Sequence, residues 1–378
     1  MTRDALAGAK RIVVKVGTST LTHGATGKLN LLRIERLVRD LADLMNQGRE
    51  VIFVTSGAIA AGLGQTGLSE KPESIPERQA LAAIGQGMLM HIYEKFFSEY
   101  GKTMAQVLLT KENAMERQQY MNARNTLLAL LRMGAVPVIN ENDAVAVDEI
   151  KIGDNDNLSA IVATLVDADA LILLTDIDGL YTGNPKTDPA ARRLDVIPEI
   201  TAEVEQMAGG AGSALGTGGM QTKLQAARIA TSAGVMMAIA PGSGDHVVQA
   251  LLAGEDIGTF FPAKESHLRV RKSWLAFGKQ LDGDLLVDEG CARAMLERDS
   301  SLLAAGIVGV EGEFGAGATV RVLAPDTREI ARGVANYGAD TIRRLMGHHT
   351  RDFPQLLGEE AGRLHEEVIH RDNMVLMA

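Results

Sequence analysis

The feature of this sequence that most restricts its fold is a regular alternation, over about the first 240 residues, of short apolar runs with longer stretches of helical spacing. In the stretch 30–48, apolar residues recur every three or four positions between Asn30 and Gly48, which is typical of an amphipathic helix with a cap and a stop. We expect further helices at about 76–99, 121–133 and 219–233. The apolar runs are RIVVKVG (11–17), EVIFVTSGA (50–58), AQVLLT (105–110), AVPVIN (135–140), ALILLTD (170–176) and VMMAIA (235–240). Strands that are apolar throughout and alternate with helices predict an α/β fold with an open, mostly parallel sheet sandwiched by helices.

The pattern changes near residue 260, so the alternating part is predicted to form a first domain over 1–260. The segment 261–278 is basic and irregular, which is typical of a linker. From 279 to 360, short alternating runs separated by Gly, Pro and Asp predict a small, mostly antiparallel β domain with one helix near 290–298. A polar C-terminal tail over 361–378 completes the predicted organisation.

Chain length, net charge and cysteine content limit the number of domains and the classes of partner that the protein can have. A chain of 378 residues is too long for one ordinary core, which agrees with two domains. The formal net charge of −10 disfavours nucleic acid or an anionic membrane as the main partner. The single cysteine, Cys291, excludes an intrachain disulfide, and no apolar run approaches the length of a membrane span. We therefore expect a soluble, cytoplasmic protein without a membrane partner.

Polar clusters follow four of the predicted strands. They are KVGTST, TSGA, NEND and TDIDGLY, and in a parallel sheet they belong to the edge where ligands gather. Lys15 stands inside the first apolar strand, where an unpaired charge is costly. Lys15 either faces solvent at the end of the strand or contributes to an anion site, and a sheet covered on both faces favours the anion site.

A glycine-rich segment, GAGSALGTGGMQTKLQAA (210–227), leads into a predicted helix with Lys223 in its first turn. Free backbone N–H groups at a helix N-terminus, together with a lysine, bind phosphate well. An exposed loop with an ordinary lysine is the alternative. Because Lys15 also lies at a strand end, the phosphate site is favoured.

The stretch GDNDN (153–157) places two carboxylates and two amides at the start of a helix. A single Asn or Asp is enough to cap a helix, so the cluster exceeds what capping needs. Two lysines, glycine turns and a carboxylate cluster suit phosphoryl transfer, in which metal ions bridge phosphate oxygens. The carboxylates of Asp154 and Asp156 would hold Mg²⁺ through water or fix the lysines, and Asn155 would contact the acceptor.

Taken together, these stretches resemble the glutamate 5-kinases of the amino-acid kinase family. The matching blocks occur in order over about 11–230, and the set is specific: VVKVGTSTLT, VTSGAIAAG, PVINENDAVA, IKIGDNDNLSA, LLTDIDGLYT and GTGGMQTKLQAA. The β domain from about 279 resembles a PUA domain in its VDEG, SLLAAGIVGVEGEF and ARGVANY stretches. The resemblance implies the amino-acid kinase fold followed by a PUA-like domain.

The resemblance also implies a reaction: ATP-dependent phosphorylation of the γ-carboxylate of L-glutamate to L-glutamyl 5-phosphate, the first step of proline biosynthesis, with ATP and Mg²⁺ as cofactors. Its motifs assign catalytic roles to Lys15, Lys223 and Asp156. Substrate binding falls to Ser56, Asp143, Asn155 and Asp154. Cofactor binding falls to Lys15, Gly17, Thr18, Gly57, Thr175, Asp176, Thr217, Gly218, Gly219, Met220, Gln221, Thr222 and Lys223. The metal ligands are left unassigned.

Further partners follow from the same resemblance: feedback inhibition by proline, a functional association with glutamyl-phosphate reductase, and assembly into a homo-oligomer. Nucleic acid is disfavoured, because residues 279–378 hold 11 Arg and Lys against 17 Asp and Glu, a net charge of −6. Cys291 and the YGAD turn (337–340) depart from the family pattern in this domain. Two alternatives stay open: the same fold acting on acetylglutamate, aspartate, carbamate or a nucleotide, and an RNA-binding role of the β domain.

Overall fold

The structure, a computed structural model, describes residues 2–68, 70–110, 117–145, 155–183, 185, 188–208, 219–264, 281–298, 300–357 and 365–377. The chain divides into two compact units, Met1–His267 and Leu268–Ala378. Each unit has its own sheet and its own hydrophobic core. Two units agree with what a chain of this length requires.

The first unit is built on a seven-stranded sheet with the order β3-β4-β2-β1-β5-β6-β7. All neighbours pair in parallel except β7, which runs antiparallel to β6 at one edge. The strands are β1 (Arg11–Val16), β2 (Glu50–Val54), β3 (Met104–Leu109), β4 (Val136–Glu141), β5 (Ala170–Thr175), β6 (Met236–Pro241) and β7 (Thr259–Phe261). The predicted mostly parallel sheet is therefore confirmed, and β1 lies at its centre.

Helices cover both faces of this sheet. Those in the described part of the unit are α1 (Thr18–Leu21), α2 (Leu31–Asn46), α3 (Ala58–Thr66), α4 (Ile75–Glu99), α5 (Arg117–Arg132), α6 (Asn155–Leu165), α7 (Ala202–Ala208), α8 (Met220–Ser232) and α9 (Val247–Leu252). Successive strand residues point to opposite faces, so Val14 and Phe53 pack in one core with α2 and α4. Val13 and Ile52 pack in the other with α5, α6 and α8. No helix in the described ranges combines the length and apolar character needed to cross a bilayer.

Local chemistry explains where several elements begin and end. Asn30 caps α2, since its side chain accepts a hydrogen bond from the backbone N–H of Arg33 at 3.2 Å. Gly48 follows the same helix with φ of +82°, a conformation that favours glycine. Between α3 and α4 the backbones approach so closely that a Cβ on Gly85 would lie 1.8 Å from the carbonyl oxygen of Ala58. Helix α3 was not predicted, because its nine residues lack a clear amphipathic period.

The second unit holds a five-stranded sheet with the order β12-β11-β10-β8-β9. Its pairs are antiparallel except β10–β8, which is parallel. The strands are β8 (Gly283–Val287), β9 (Ile307–Glu311), β10 (Thr319–Leu323), β11 (Glu329–Val334) and β12 (Met374–Leu376). Strand β12 lies within the segment predicted as a separate tail, and it pairs with β11 at the sheet edge.

Helix content in the second unit exceeds the prediction. The predicted helix near 290–298 is α10 (Glu289–Arg298), but α11 (Ala339–Leu345) and α12 (Phe353–Leu357) are also present. Both additional helices are short, at seven and five residues. Burial of Ile342 and Phe353 in the core stabilises them; a periodic pattern of this length is too short to be recognised in sequence.

Candidate active site

The carboxyl ends of the central strands bring the predicted site residues to one edge of the sheet. Lys15, near the end of β1, lies in register with Val54 of β2 and Leu173 of β5. Ile139 of β4 lies in register with Val54 on the outer side of β2. The polar residues that follow each of these strands therefore lie side by side, as the parallel topology requires.

At this edge, Lys15 and Lys223 converge on the carboxylate of Asp156. The ammonium of Lys15 donates to Oδ1 of Asp156, and Lys223 Nζ donates to Oδ2 at 3.0 Å. All three side chains are buried, and Asp156 has no exposed surface. Both lysines were predicted to belong to one phosphate site, and the structure brings their ammonium groups to a single carboxylate.

The two lysines determine the charge state of Asp156. Burial by itself would raise the pKa of this carboxyl, but attraction by Lys15 and Lys223 and the hydrogen bonds they donate hold the pKa well below its usual range. Asp156 is therefore ionised at neutral pH. As a group, the three side chains carry one net positive charge in a site from which water is largely excluded, which favours the approach of an anion.

Two helix N-termini meet at the same carboxylate. Asp156 lies in the first turn of α6, and Thr222 and Lys223 lie in the first turn of α8. The hydroxyl of Thr222 lies 3.2 Å from Oδ2 of Asp156 and 2.7 Å from the carbonyl oxygen of Gly219. The positive ends of two helix dipoles add to the lysine charges at this point.

Asn155 connects the start of α6 to the ends of β2 and β4. Its Nδ2 lies 2.7 Å from the carbonyl oxygen of Thr55, 2.9 Å from Oδ1 of Asn140 and 3.0 Å from Oγ of Ser56. The side-chain nitrogen is thus occupied by protein acceptors, so in this structure Asn155 holds the strand ends together. Its predicted contact with the acceptor substrate stays a prediction.

Ser56 lies next to this cluster, and Asp143 follows the end of β4. Both are partly exposed. Burial raises the pKa of Asp143, an effect that the charge of Lys71 opposes. Gly57 caps α3 with φ of +94°, a conformation that requires glycine for the chain to turn from Ser56 into the helix.

The predicted nucleotide residues divide into two groups. On the β1 side, the N–H of Gly17 donates to the carbonyl oxygen of Leu174 at 3.3 Å, and Thr18 opens α1. On the β5 side, the hydroxyl of Thr175 donates to Oδ1 of Asp176 at 3.0 Å. The remaining described members lie at the start of α8: Gly219, Met220, Gln221, Thr222 and Lys223. Thr217, Gly218 and Asp154 lie outside the described residues.

Four residues that were not predicted from the sequence hold the ends of β2 and β4 at this site: Asn140, Gln86, Thr55 and Tyr93. Asn140 and Gln86 are joined by a hydrogen bond of 2.7 Å, and the hydroxyls of Thr55 and Tyr93 lie 2.6 Å apart. Burial raises the pKa of Tyr93 far above its ordinary value, so the phenol is neutral. Asn140 ends the apolar run AVPVIN, and a polar residue at that place could have marked it as part of the site. Gln86 and Tyr93 lie within a helix in which no sequence pattern marks them.

The site offers little to a metal ion among the residues that the structure describes. Both carboxylate oxygens of Asp156 accept from lysines, so this side chain fixes the lysines and is not presented as a metal ligand. No group of three or more His, Cys, Asp and Glu in the described ranges is arranged to hold a metal. The donor set fits a phosphate group and does not form a protein cage for Mg²⁺.

Comparison with known proteins agrees with this geometry. The model of the amino acid kinase family matches residues 10–240, and that of the PUA domain matches residues 283–357. Glutamate 5-kinase from Moorella thermoacetica is 54% identical over 375 residues, covering 99% of this chain and 98% of that protein. Those from Carboxydothermus hydrogenoformans and Deinococcus radiodurans are 51% and 49% identical, covering 99% and 97% of this chain and 100% of each relative. The chain therefore belongs to the amino acid kinase family, among the glutamate 5-kinases, and carries a PUA domain.

Proposed function

We propose that this protein transfers the γ-phosphoryl group of ATP to the γ-carboxylate of L-glutamate, forming L-glutamyl 5-phosphate, the first step of proline biosynthesis. The observation that carries the proposal is the buried group of Lys15, Asp156 and Lys223. Its relatives at about half identity over nearly the whole chain are named glutamate 5-kinase. Both lines point to a phosphotransferase with a carboxyl group as acceptor.

The chemistry of this transfer matches what the site supplies. A glutamate side chain has a pKa of about 4.3 and is ionised at neutral pH, so the nucleophile needs no general base. The barrier arises because a carboxylate must approach a polyanionic phosphate. Lys15 and Lys223 offset this repulsion, and they do so most strongly in the transition state, where charge spreads over the transferring group. Asp156 positions the two ammonium groups and does not exchange a proton.

The acceptor lies on the β2 and β4 side of the lysines. Ser56 is partly exposed there beside Asn155, and Asp143, which follows β4, is also partly exposed. The carboxylate of Asp143 suits an α-ammonium group, which requires an anionic partner. Asn155 acts with Asp154 in holding glutamate. A site with an anionic side chain for an α-ammonium group and two lysines for the transferring phosphate favours an amino acid acceptor over carbamate or a nucleotide.

The nucleotide lies on the other side, against the ends of β1 and β5 and the N-terminus of α8. Gly17 and Gly219 cap α1 and α8, Thr175 ends β5, and the first turn of α8 offers free N–H groups to phosphate. Mg²⁺, when bound with ATP, neutralises phosphate charge. Because no group of three or more His, Cys, Asp and Glu in the described ranges is arranged to hold a metal, the ion would be held chiefly by the phosphates of the nucleotide. Cytoplasmic location, inhibition by proline, homo-oligomer assembly and transfer of the product to glutamyl-phosphate reductase complete the proposal.

An acceptor panel tests the proposal. The purified chain is given ATP, Mg²⁺ and hydroxylamine with L-glutamate, N-acetylglutamate, aspartate or carbamate, and acyl phosphate is trapped as hydroxamate; a parallel arm with UMP follows ADP release. We expect acceptor-dependent turnover with L-glutamate far above every other acceptor. Preference for another acceptor would reject the substrate and keep the kinase, and no acceptor-dependent ADP release at all would reject both.

A further inference from the structure

We infer that Gln86, on α4, is a positioning residue for the acceptor side of the site, acting through Asn140 and Asn155 on the hydroxyl of Ser56. The inference rests on the proposed function, because that function places the acceptor beside Ser56. Neither the sequence motifs nor the residues of the lysine group include any part of α4.

The three amides form a continuous buried chain. Asn140 Nδ2 donates to Oε1 of Gln86 at 2.7 Å, and Asn155 Nδ2 donates to Oδ1 of Asn140 at 2.9 Å. The same nitrogen of Asn155 reaches Oγ of Ser56 at 3.0 Å. Gln86, Asn140 and Asn155 are 9%, 2% and 8% exposed, so water does not compete for these bonds.

Each amide has one donor end and one acceptor end, so the orientation of one side chain determines the next. The carbonyl oxygen of Gln86 requires Asn140 to present its nitrogen toward α4. Asn140 then presents its oxygen to Asn155, so Asn155 must donate from its nitrogen. The carbonyl oxygen of Thr55 also accepts from this nitrogen, which reinforces the direction.

The chain ends at Ser56, where it acts on a hydroxyl. Asn155 Nδ2 carries two hydrogens for three acceptors, so Oγ of Ser56 shares one of them with a neighbouring acceptor. That oxygen accepts here, and its own proton is directed elsewhere. Ser56 is partly exposed, unlike the amides, and its hydroxyl donates to no acceptor in the described part of the chain. A donor held in this direction suits a carboxylate group of the acceptor substrate.

The burial of Gln86 supports a dedicated role. Its Nε2 is buried without a hydrogen-bond partner among the described residues, an arrangement that natural interiors rarely keep without a reason. A methionine would fill a similar volume with no buried polar atom. The close contact of Gly85 with Ala58 holds this turn of α4 against the start of α3, directly after Ser56 and Gly57. The oxygen of Gln86 is thereby held within reach of Asn140.

The test compares Gln86→Met with Gln65→Met, which makes the same substitution at an exposed position of the neighbouring helix α3. Without the Gln86 oxygen, the side-chain amide of Asn140 is free to flip. The hydroxyl proton of Ser56 is then no longer held in one direction. We expect the KM for glutamate to rise about tenfold, with the KM for ATP changing less than twofold, in the range that loss of one buried hydrogen bond produces. The control should change neither value.

A second measurement separates positioning from general structural damage. In a Ser56→Ala background the hydroxyl that the chain directs is absent, so adding Gln86→Met should raise the KM for glutamate less than twofold further. An unchanged KM in the single variant, an equal rise in the KM for ATP, or a full additional effect in the Ser56→Ala background would overturn the inference. Should Gln86→Met not fold, Gln86→Leu takes its place, and failure of both variants to fold assigns a structural role and overturns it too.

These outcomes are distinct from failure of the proposed function. If the wild-type chain shows no glutamate-dependent hydroxamate formation, the function fails before any Gln86 variant is measured. If the wild-type chain is active and only the Gln86 effects are absent, the function stands and the positioning role falls.

Discussion

Lys15 reaches the carboxylate of Asp156 from the end of a strand, and Lys223 reaches the same carboxylate from the first turn of a helix. Each lysine alone has a simple structural explanation, as a strand-end or a helix-surface residue. Their convergence in a buried position has no such explanation, because a structural ion pair needs only one cation for one carboxylate. At the residue scale, this shared carboxylate supports the proposed site of phosphoryl transfer.

The two lysines are expected to be essential for turnover. Lys15→Ala and Lys223→Ala should each lower kcat by about a hundredfold or more, as removal of a preorganised charge donor does. Lys10→Ala, at an exposed position just before β1, is the matched control and should retain wild-type kcat. Steady-state kinetics with saturating glutamate and ATP measures the effect, and wild-type kcat in both lysine variants would contradict the assigned mechanism.

Asp156 should contribute to stability in a pH-dependent way. Its folded-state pKa is lowered by the two lysines, so its contribution is fully present above the ordinary Asp pKa of about 3.9 and is lost as pH falls toward the lowered folded-state value. At pH 7, Asp156→Asn should lower the free energy of unfolding by about 3–5 kcal/mol, because it leaves two buried ammonium groups without their carboxylate.

Urea unfolding of both proteins from pH 7 to pH 3 measures this difference. It should stay constant down to about pH 4 and shrink only below that value. Asp245→Asn is the control, since Asp245 pairs with Arg36 at the surface and should change the free energy by less than about 1 kcal/mol. A difference that stays unchanged down to pH 3, or that grows as pH falls, would show that the folded-state pKa is not lowered.

At the scale of elements, the site depends on how closely helices approach the strand ends. Helices α6 and α8 direct their N-termini at one carboxylate, while α4 supplies Gln86 from the opposite side of β2. The contact between α3 and α4 is the tightest of these approaches, because Gly62 and Gly85 leave no space for a side chain. A Cβ on Gly62 would lie 2.1 Å from the carbonyl oxygen of Leu81.

This contact yields a prediction about two glycines on one helix. Gly85→Ala should destabilise the protein by about 2–3 kcal/mol, because its Cβ would lie 1.8 Å from the carbonyl oxygen of Ala58 and the helices must separate. Gly87→Ala meets nothing within 4 Å in the same helix and should stabilise by about 0.5–1 kcal/mol. Thermal unfolding of both variants measures the two changes, and a loss of similar size in Gly87→Ala would contradict the packing argument.

At the scale of the whole molecule, the chain joins a kinase unit to a β unit of different design. The first unit buries a parallel sheet under helices on both faces, which concentrates polar groups at one edge. The second unit is a five-stranded, largely antiparallel sheet with a core of its own, and the sequence from 279 to 378 is acidic. Acidity disfavours a phosphate backbone as a ligand of the second unit.

The sequence by itself determined the α/β class and the parallel sheet, because both depend on the local pattern of apolar residues. It also predicted Lys15 and Lys223 as site residues, from a charge inside an apolar strand and a charge at the start of a glycine-preceded helix. The tertiary structure alone decided that both lysines share Asp156, and that Gln86 and Asn140 direct the side chain of Asn155. It also added the short helices α11 and α12 and the edge strand β12, which depend on burial against distant residues. The physical reason is the same in each case: the direction of a buried hydrogen bond, and the partner that a buried charge finds, are set by groups far apart along the chain and close together only in the fold.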